Sequence, residues 1–145
     1  MAMYAMLLYY PQDQYWDSPD DAQFSAVYDT IKQDAAQQGV LRGGEALHPA
    51  SMATTITVAD GPGSDVRLTD GPYAEAKEVL GGFFLLDVAD LDEAVRWAAR
   101  MPAAWRGKVE VRPIVPPRTF PPQAGTPQAG TPQTGTPQTR AATGP

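Results

Sequence analysis

Two segments of this 145-residue chain are apolar on both faces of a strand, and they constrain the fold more than anything else in it. Met3 to Tyr10 (MYAMLLYY) would set Tyr4, Met6, Leu8 and Tyr10 on one side and Ala5, Leu7 and Tyr9 on the other. Gly82 to Val88 (GFFLLDV) has the same two-sided character. Strands of this kind are buried on both faces. Each is followed by a helical signal. After the first, Ser18 is a good N-cap, Pro19 suits the first helical position, and Asp20 and Asp21 favour the positive end of the dipole. Phe24, Val27, Tyr28, Ile31 and Ala35 then recur at helical spacing and Gly39 is a natural C′ residue, which predicts a helix over 19–38. After the second, Asp90 and Glu93 have capping-box spacing, Leu91, Ala94, Val95, Ala98 and Met101 form an apolar stripe, and Pro102 is read as the stop.

Between these units, Val40 to Leu47 reads as a strand kinked by Gly43 and Gly44. Ala53 to Val58 (ATTITV), the turn Asp60-Gly61-Pro62-Gly63 and the return through Asp65 to Thr69 predict a hairpin, followed by a second turn at Asp70-Gly71-Pro72. Lys108 to Ile114 is the last strand, with Val109 and Val111 on one face and Glu110 and Arg112 on the other. The order β-α-β-(hairpin)-β-α-β is an α+β, ferredoxin-like split βαβ with an inserted hairpin. Its two helices cover one sheet face. The two-sided strands would leave the other in water, so a two-fold homodimer is the expected cover, with the inserted hairpin as the competing one.

The domain is expected over 1–115. From 116 to 145 the composition changes to a Pro/Gly/Thr/Gln-rich segment whose residues 121–140 (PPQAG, TPQAG, TPQTG, TPQTR) repeat every five residues without an apolar face, the signature of a disordered tail. That tail holds Arg118 and Arg140 and no acid, so the rest of the chain carries seventeen acids against nine bases, a net charge of −8. A surface of that sign repels phosphate backbones, and no direct nucleic-acid partner is expected. The absence of cysteine excludes disulfides, thiolate nucleophiles and zinc-thiolate sites and fits a cytoplasmic protein. The apolar run at Met3 is too short to span a bilayer and no basic stretch precedes it, so neither a membrane span nor a secretory signal is expected.

GEALHP at 44–49, the paired Thr at 54–55, DGPYAEAKE at 70–78, LGGFFLLDVADLDEAVRWAARMP at 80–102 and VEVRPI at 109–114 together resemble the DGPF group of the YCII-related proteins. The resemblance implies a dimeric α+β barrel of ferredoxin-like subunits. It also implies two functional readings. One is a small-molecule-binding protein or a cofactor-independent acid–base enzyme, since distant relatives include a dehydrochlorinase of a chlorinated aromatic diol. The other is an accessory protein that contacts an extracytoplasmic-function sigma factor. The catalytic His–Asp pair proposed for the short branch of the family places its His on the first helix, where this chain has none.

Candidate site residues follow from their chemistry. His48, the one histidine, is the side chain whose ordinary pKa suits proton transfer near neutrality, although a His before a Pro also reads as a loop residue. Asp70 is the second catalytic candidate, set against its role as a turn former beside Gly71. Asp70, Tyr73, Glu75, Lys77 and Arg112 are the candidate binding residues, with Arg112 and Lys77 suited to an anionic or phenolate group and Arg112 equally suited to pairing with a neighbouring acid. Tyr10 and Tyr15 could line a cleft, Tyr10 reading first as core. Carboxylates are plentiful, but nothing spaces them as metal ligands, and neither a metal nor a cofactor is expected. The single-site hypothesis has His48, Asp70, Lys77 and Arg112 converge on one cleft beside the dimer interface.

Overall fold

The computed structural model describes residues 1–12, 21–72 and 77–117. Tyr15, Ser18, Pro19, Asp20, Tyr73, Glu75 and the five-residue repeats lie outside them. The element order is β1 (Ala2–Pro11), α1 (Asp21–Gln37), β2 (Leu41–Ala46), a 3-10 turn (Ala50–Met52), β3 (Thr54–Val58), β4 (Val66–Asp70), β5 (Glu78–Val88), α2 (Leu91–Ala99), α3 (Pro102–Arg106) and β6 (Lys108–Pro113). Among the described residues, four strands form an antiparallel sheet in the order β2-β5-β1-β6, and β3 pairs with β4 as a two-stranded sheet. With the β3–β4 hairpin set aside, this is the ferredoxin-like strand order, and the two segments that are apolar on both faces are the two central strands.

Alternation along those strands separates the faces. Tyr4, Met6 and Leu8 of β1 and Phe84, Leu86 and Val88 of β5 are buried against Ile31 and Ala35 of α1 and against Ala94, Trp97 and Met101 from the second helical region. Full burial of a side chain such as Met6, Ile31 or Leu86 contributes about 1.5–3 kcal/mol. Ala5, Leu7 and Tyr9, with Phe83 and Leu85, point to the opposite face and are half-buried. Val109 and Val111 pack against the core from β6.

Glycines adjust the sheet at two places. At Gly44 an added Cβ would lie 2.9 Å from the Phe83 carbonyl oxygen, and the β2–β5 register slips between Leu41 and Gly43, which gives the expected kink. On β5, Leu8 faces Gly82 and Tyr9 faces Leu80, so Gly81 is the extra residue of a bulge, and its carbonyl accepts the Leu47 N–H at 2.9 Å. This bulge lets β5 begin at Glu78, four residues before the strand expected from composition.

The helices follow their caps. Gly39 takes φ +71 after α1, as a C′ glycine should. Asp90 accepts from the Glu93 N–H at 2.9 Å, and the Glu93 carboxylate accepts from the Ala89 N–H at 3.0 Å, a capping box displaced by one residue. Two expectations need correction. Leu91 and Val95 are exposed, because the small Ala94 and Ala98 together with Trp97 and Met101 form the face that reaches the sheet. Pro102 ends one helix and also opens another, occupying the first turn of α3, where its missing N–H costs nothing. Asp34 on α1 accepts from Arg100 at 2.6 Å and ties that helix to the end of α2.

Candidate functional site

The helix-side face of the sheet carries a cleft of about 250 Å³ beneath the first half of α1. Its floor is Leu8, Phe84 and the glycine pair Gly81–Gly82, both buried in the β5 bulge. A side chain cannot be added at Gly82, where a Cβ would meet the Glu45 carbonyl oxygen at 2.9 Å, so the absence of bulk there keeps the floor open. Phe24, Tyr28 and Tyr10 supply aromatic wall, and Ser25, Asp29, Lys32 and Arg106 line the opening. The Arg106 guanidinium lies over the Phe24 ring, 4.8 Å from its centroid, which presents cation and aromatic face together.

The hydroxyls of Tyr10 and Tyr28 are hydrogen-bonded to each other. Tyr28 also accepts the Ala103 N–H at 2.9 Å. That contact has a local cause. Met101, the N-cap of α3, has no side-chain acceptor, and a helix start leaves its first N–H groups unpaired. The Tyr28 oxygen fills that place from another element, while its ring stacks on Phe84 at 6.0 Å. One hydroxyl therefore joins β1, α1 and α3 at the wall of the cleft. Farther along α1, the Asp34 carboxyl is held below its ordinary value by the hydrogen bond from Arg100 and then by that from Gln38.

The residues singled out from sequence are distributed as follows. His48 lines a second cavity of about 440 Å³ at the root of the hairpin, with Leu47, Met52, Pro72, Glu78 and Leu80. Asp70 ends β4 opposite Thr54. Gly71 takes φ +103, donates its N–H to the Ala53 carbonyl at 2.6 Å, and accepts from the Thr55 hydroxyl at 2.8 Å. The Asp-Gly-Pro turn thus closes the hairpin root, and glycine is required for its backbone. Lys77 is exposed, and its carbonyl accepts the Gln12 N–H at 2.9 Å. Arg112 pairs with Glu110 on β6, the edge opposite β2 and three strand spacings from it, about 14 Å. Arg112 is not among the residues that line the cavity at His48. Tyr73 and Glu75 lie outside the described residues. Among the described residues no three His, Asp or Glu side chains gather as a metal site, and no helix is long and apolar enough to cross a membrane.

Tyr28, Lys32, Arg106 and the Gly81–Gly82 pair were not evident as site residues in the sequence. The available signal was a Tyr inside an otherwise apolar helical stripe, since a buried phenol needs a partner for its hydroxyl. Tyr10, weighed between core and cleft, does both.

The YCII-related domain profile matches residues 2–118, spanning every element described above. The chain belongs to the YCII-related domain family. It is also 32% identical over 116 residues to an uncharacterized protein of Rhizobium meliloti (strain 1021), an alignment covering 77% of this chain and 91% of that protein.

Proposed function

We propose that this YCII-related protein binds a small planar organic molecule in the cleft under α1, and that the ligand carries an aromatic ring and an anionic group. The observation that carries this reading is the aromatic cleft itself: Phe24, Tyr10, Tyr28 and Phe84 around a glycine floor, with Lys32 and Arg106 at the opening. Concave apolar sites with a few convergent polar groups are where small ligands bind. The ring would lie along the aromatic wall, and the anion would meet Lys32 and Arg106. The Tyr10–Tyr28 pair places a phenol proton at the wall, so acid–base chemistry without a cofactor would run through it. The Asp70-Gly71-Pro72 turn, with its positive-φ glycine, supports placing the chain in the DGPF group of the family.

The test is a thermal-shift panel of benzoates and phenols on the full chain and on Ser25→Phe. Ser25 is an exposed helix position at the opening, so the added ring fills the cleft without touching the core. At least one compound should stabilise the unmodified chain, and Ser25→Phe should lose that response while keeping its own melting temperature. No response across the panel, or an equal response in Ser25→Phe, refutes the reading.

Contact with a protein partner has one observation in its favour, the exposed apolar face of the β3–β4 hairpin.

A further inference from the structure

α1 faces the cleft along one stripe. Phe24, Ser25, Tyr28, Asp29 and Lys32 all line it, and at about 100° per residue they fall within an arc of about 140°. Phe24, Tyr28 and Lys32 are half-buried, and Ser25 and Asp29 lie at the exposed edge. Asp29 and Lys32 are three residues apart, which sets their Cβ atoms about 5–6 Å from one another. Neither forms an ion pair with any described residue, whereas Asp34, farther along α1, is paired with Arg100. Arg106 brings a second cation to the same opening from α3. The polar end of the cleft therefore offers one carboxylate beside two cations.

We propose that the ligand is an aromatic α-amino acid held as its zwitterion, with the ring against the aromatic wall, the carboxylate on Lys32 and Arg106, and the ammonium on Asp29. The inference rests on the reading of the cleft given above and adds the second charge to it. Charge pattern selects this class. A plain aromatic acid would meet Lys32 and Arg106 but would also bring its carboxylate beside Asp29, a like charge that opposes it. An α-amino acid carries both charges on one carbon, so both charge-assisted contacts can form at once. Size agrees, because a cavity of about 150 Å³ holds a benzene ring. The cleft, at about 250 Å³, leaves room for a short polar end. Net charge agrees as well. The seventeen acids and nine bases outside the tail give −8, which repels a free anion at long range and leaves a zwitterion unopposed.

Isothermal titration calorimetry of the full chain tests the proposal with three probes that share one ring and spacer: L-phenylalanine, 3-phenylpropionate and 2-phenylethylamine. L-Phenylalanine should bind about tenfold more tightly than either singly charged probe, the worth of one added hydrogen bond between charged groups. Asp29→Asn, at an exposed position, should weaken L-phenylalanine about tenfold without weakening 3-phenylpropionate, which abolishes the preference. Lys32→Gln should weaken both carboxylates together, and circular dichroism should show both variants folded. The inference is overturned if 3-phenylpropionate binds as tightly as L-phenylalanine. It is equally overturned if Asp29→Asn keeps the preference, or if Lys32→Gln weakens neither carboxylate. If no probe of the three binds while a benzoate or phenol does, the zwitterion falls and the cleft reading stands. Silence across both sets removes the cleft reading with it.

Discussion

Tyr28→Phe removes one oxygen and keeps the ring, so it isolates the hydroxyl that joins β1, α1 and α3. The stacked contact with Phe84 at 6.0 Å survives the change. The Ala103 N–H, on a residue with no exposed surface, loses its acceptor at the start of α3. A buried donor left unpaired costs about 1–3 kcal/mol, and the lost bond to the Tyr10 hydroxyl adds about 0.5–1.5 kcal/mol. Because Tyr28 is only half-buried, water can recover part of this, and the expected loss is about 2 kcal/mol. Tyr10→Phe removes the shared bond and leaves Tyr28 accepting from Ala103, so its cost should be about 1 kcal/mol. Urea unfolding followed by circular dichroism reads both. With a slope of about 2 kcal/mol per molar, Tyr28→Phe should lower the midpoint by about 1 M and Tyr10→Phe by about half that. The reasoning is refuted if Tyr10→Phe costs as much as Tyr28→Phe, or if Tyr28→Phe costs less than about 0.5 kcal/mol.

Three other outcomes are expected. Gly107→Ala would drive a Cβ into the Tyr9 carbonyl oxygen where β1 and β6 meet, a collision with backbone that should cost about 2–4 kcal/mol in the same urea assay. Asp34 has a folded pKa below its ordinary 3.8, so its contribution is present above that value and is lost as pH falls through the folded pKa. Asp34→Asn should therefore be less stable than the unmodified chain near neutrality, and the difference should close in acid thermal melts. A chain ending at residue 117 should keep its unfolding free energy within about 0.5 kcal/mol, since the repeats beyond have no apolar face to bury.

Local signals made the sheet legible. Two-sided apolarity singled out β1 and β5, which are the central strands, Gly43 and Gly44 marked the kink on β2, and Asp90 with Glu93 announced α2. Pro102 was ambiguous for a physical reason: the same ring that cannot continue a helix is favoured in the first turn of the next. Leu91 and Val95 fit the helical period, but the direction of burial was set by the small Ala94 and Ala98, which let α2 approach the sheet. The cleft was least legible. Its hydroxyl pair joins β1 to α1 across 18 residues, the Tyr28 hydroxyl meets Ala103 of α3 across 75, and neither Tyr10 nor Tyr28 announces the other. His48 was conspicuous because it is unique, yet the cavity it lines is at the hairpin root and includes none of the aromatic residues of the wall.

The claim that ligand binds under α1 is tested most directly by amide chemical-shift mapping, with the most stabilising compound of the benzoate and phenol panel titrated into the isotopically labelled chain. The amides of Phe24, Tyr28, Lys32, Gly81, Gly82 and Arg106 should shift together and saturate with one dissociation constant. Shifts confined instead to Leu47, His48, Met52, Ala53 and Leu80, around the cavity at the hairpin root, would contradict the account.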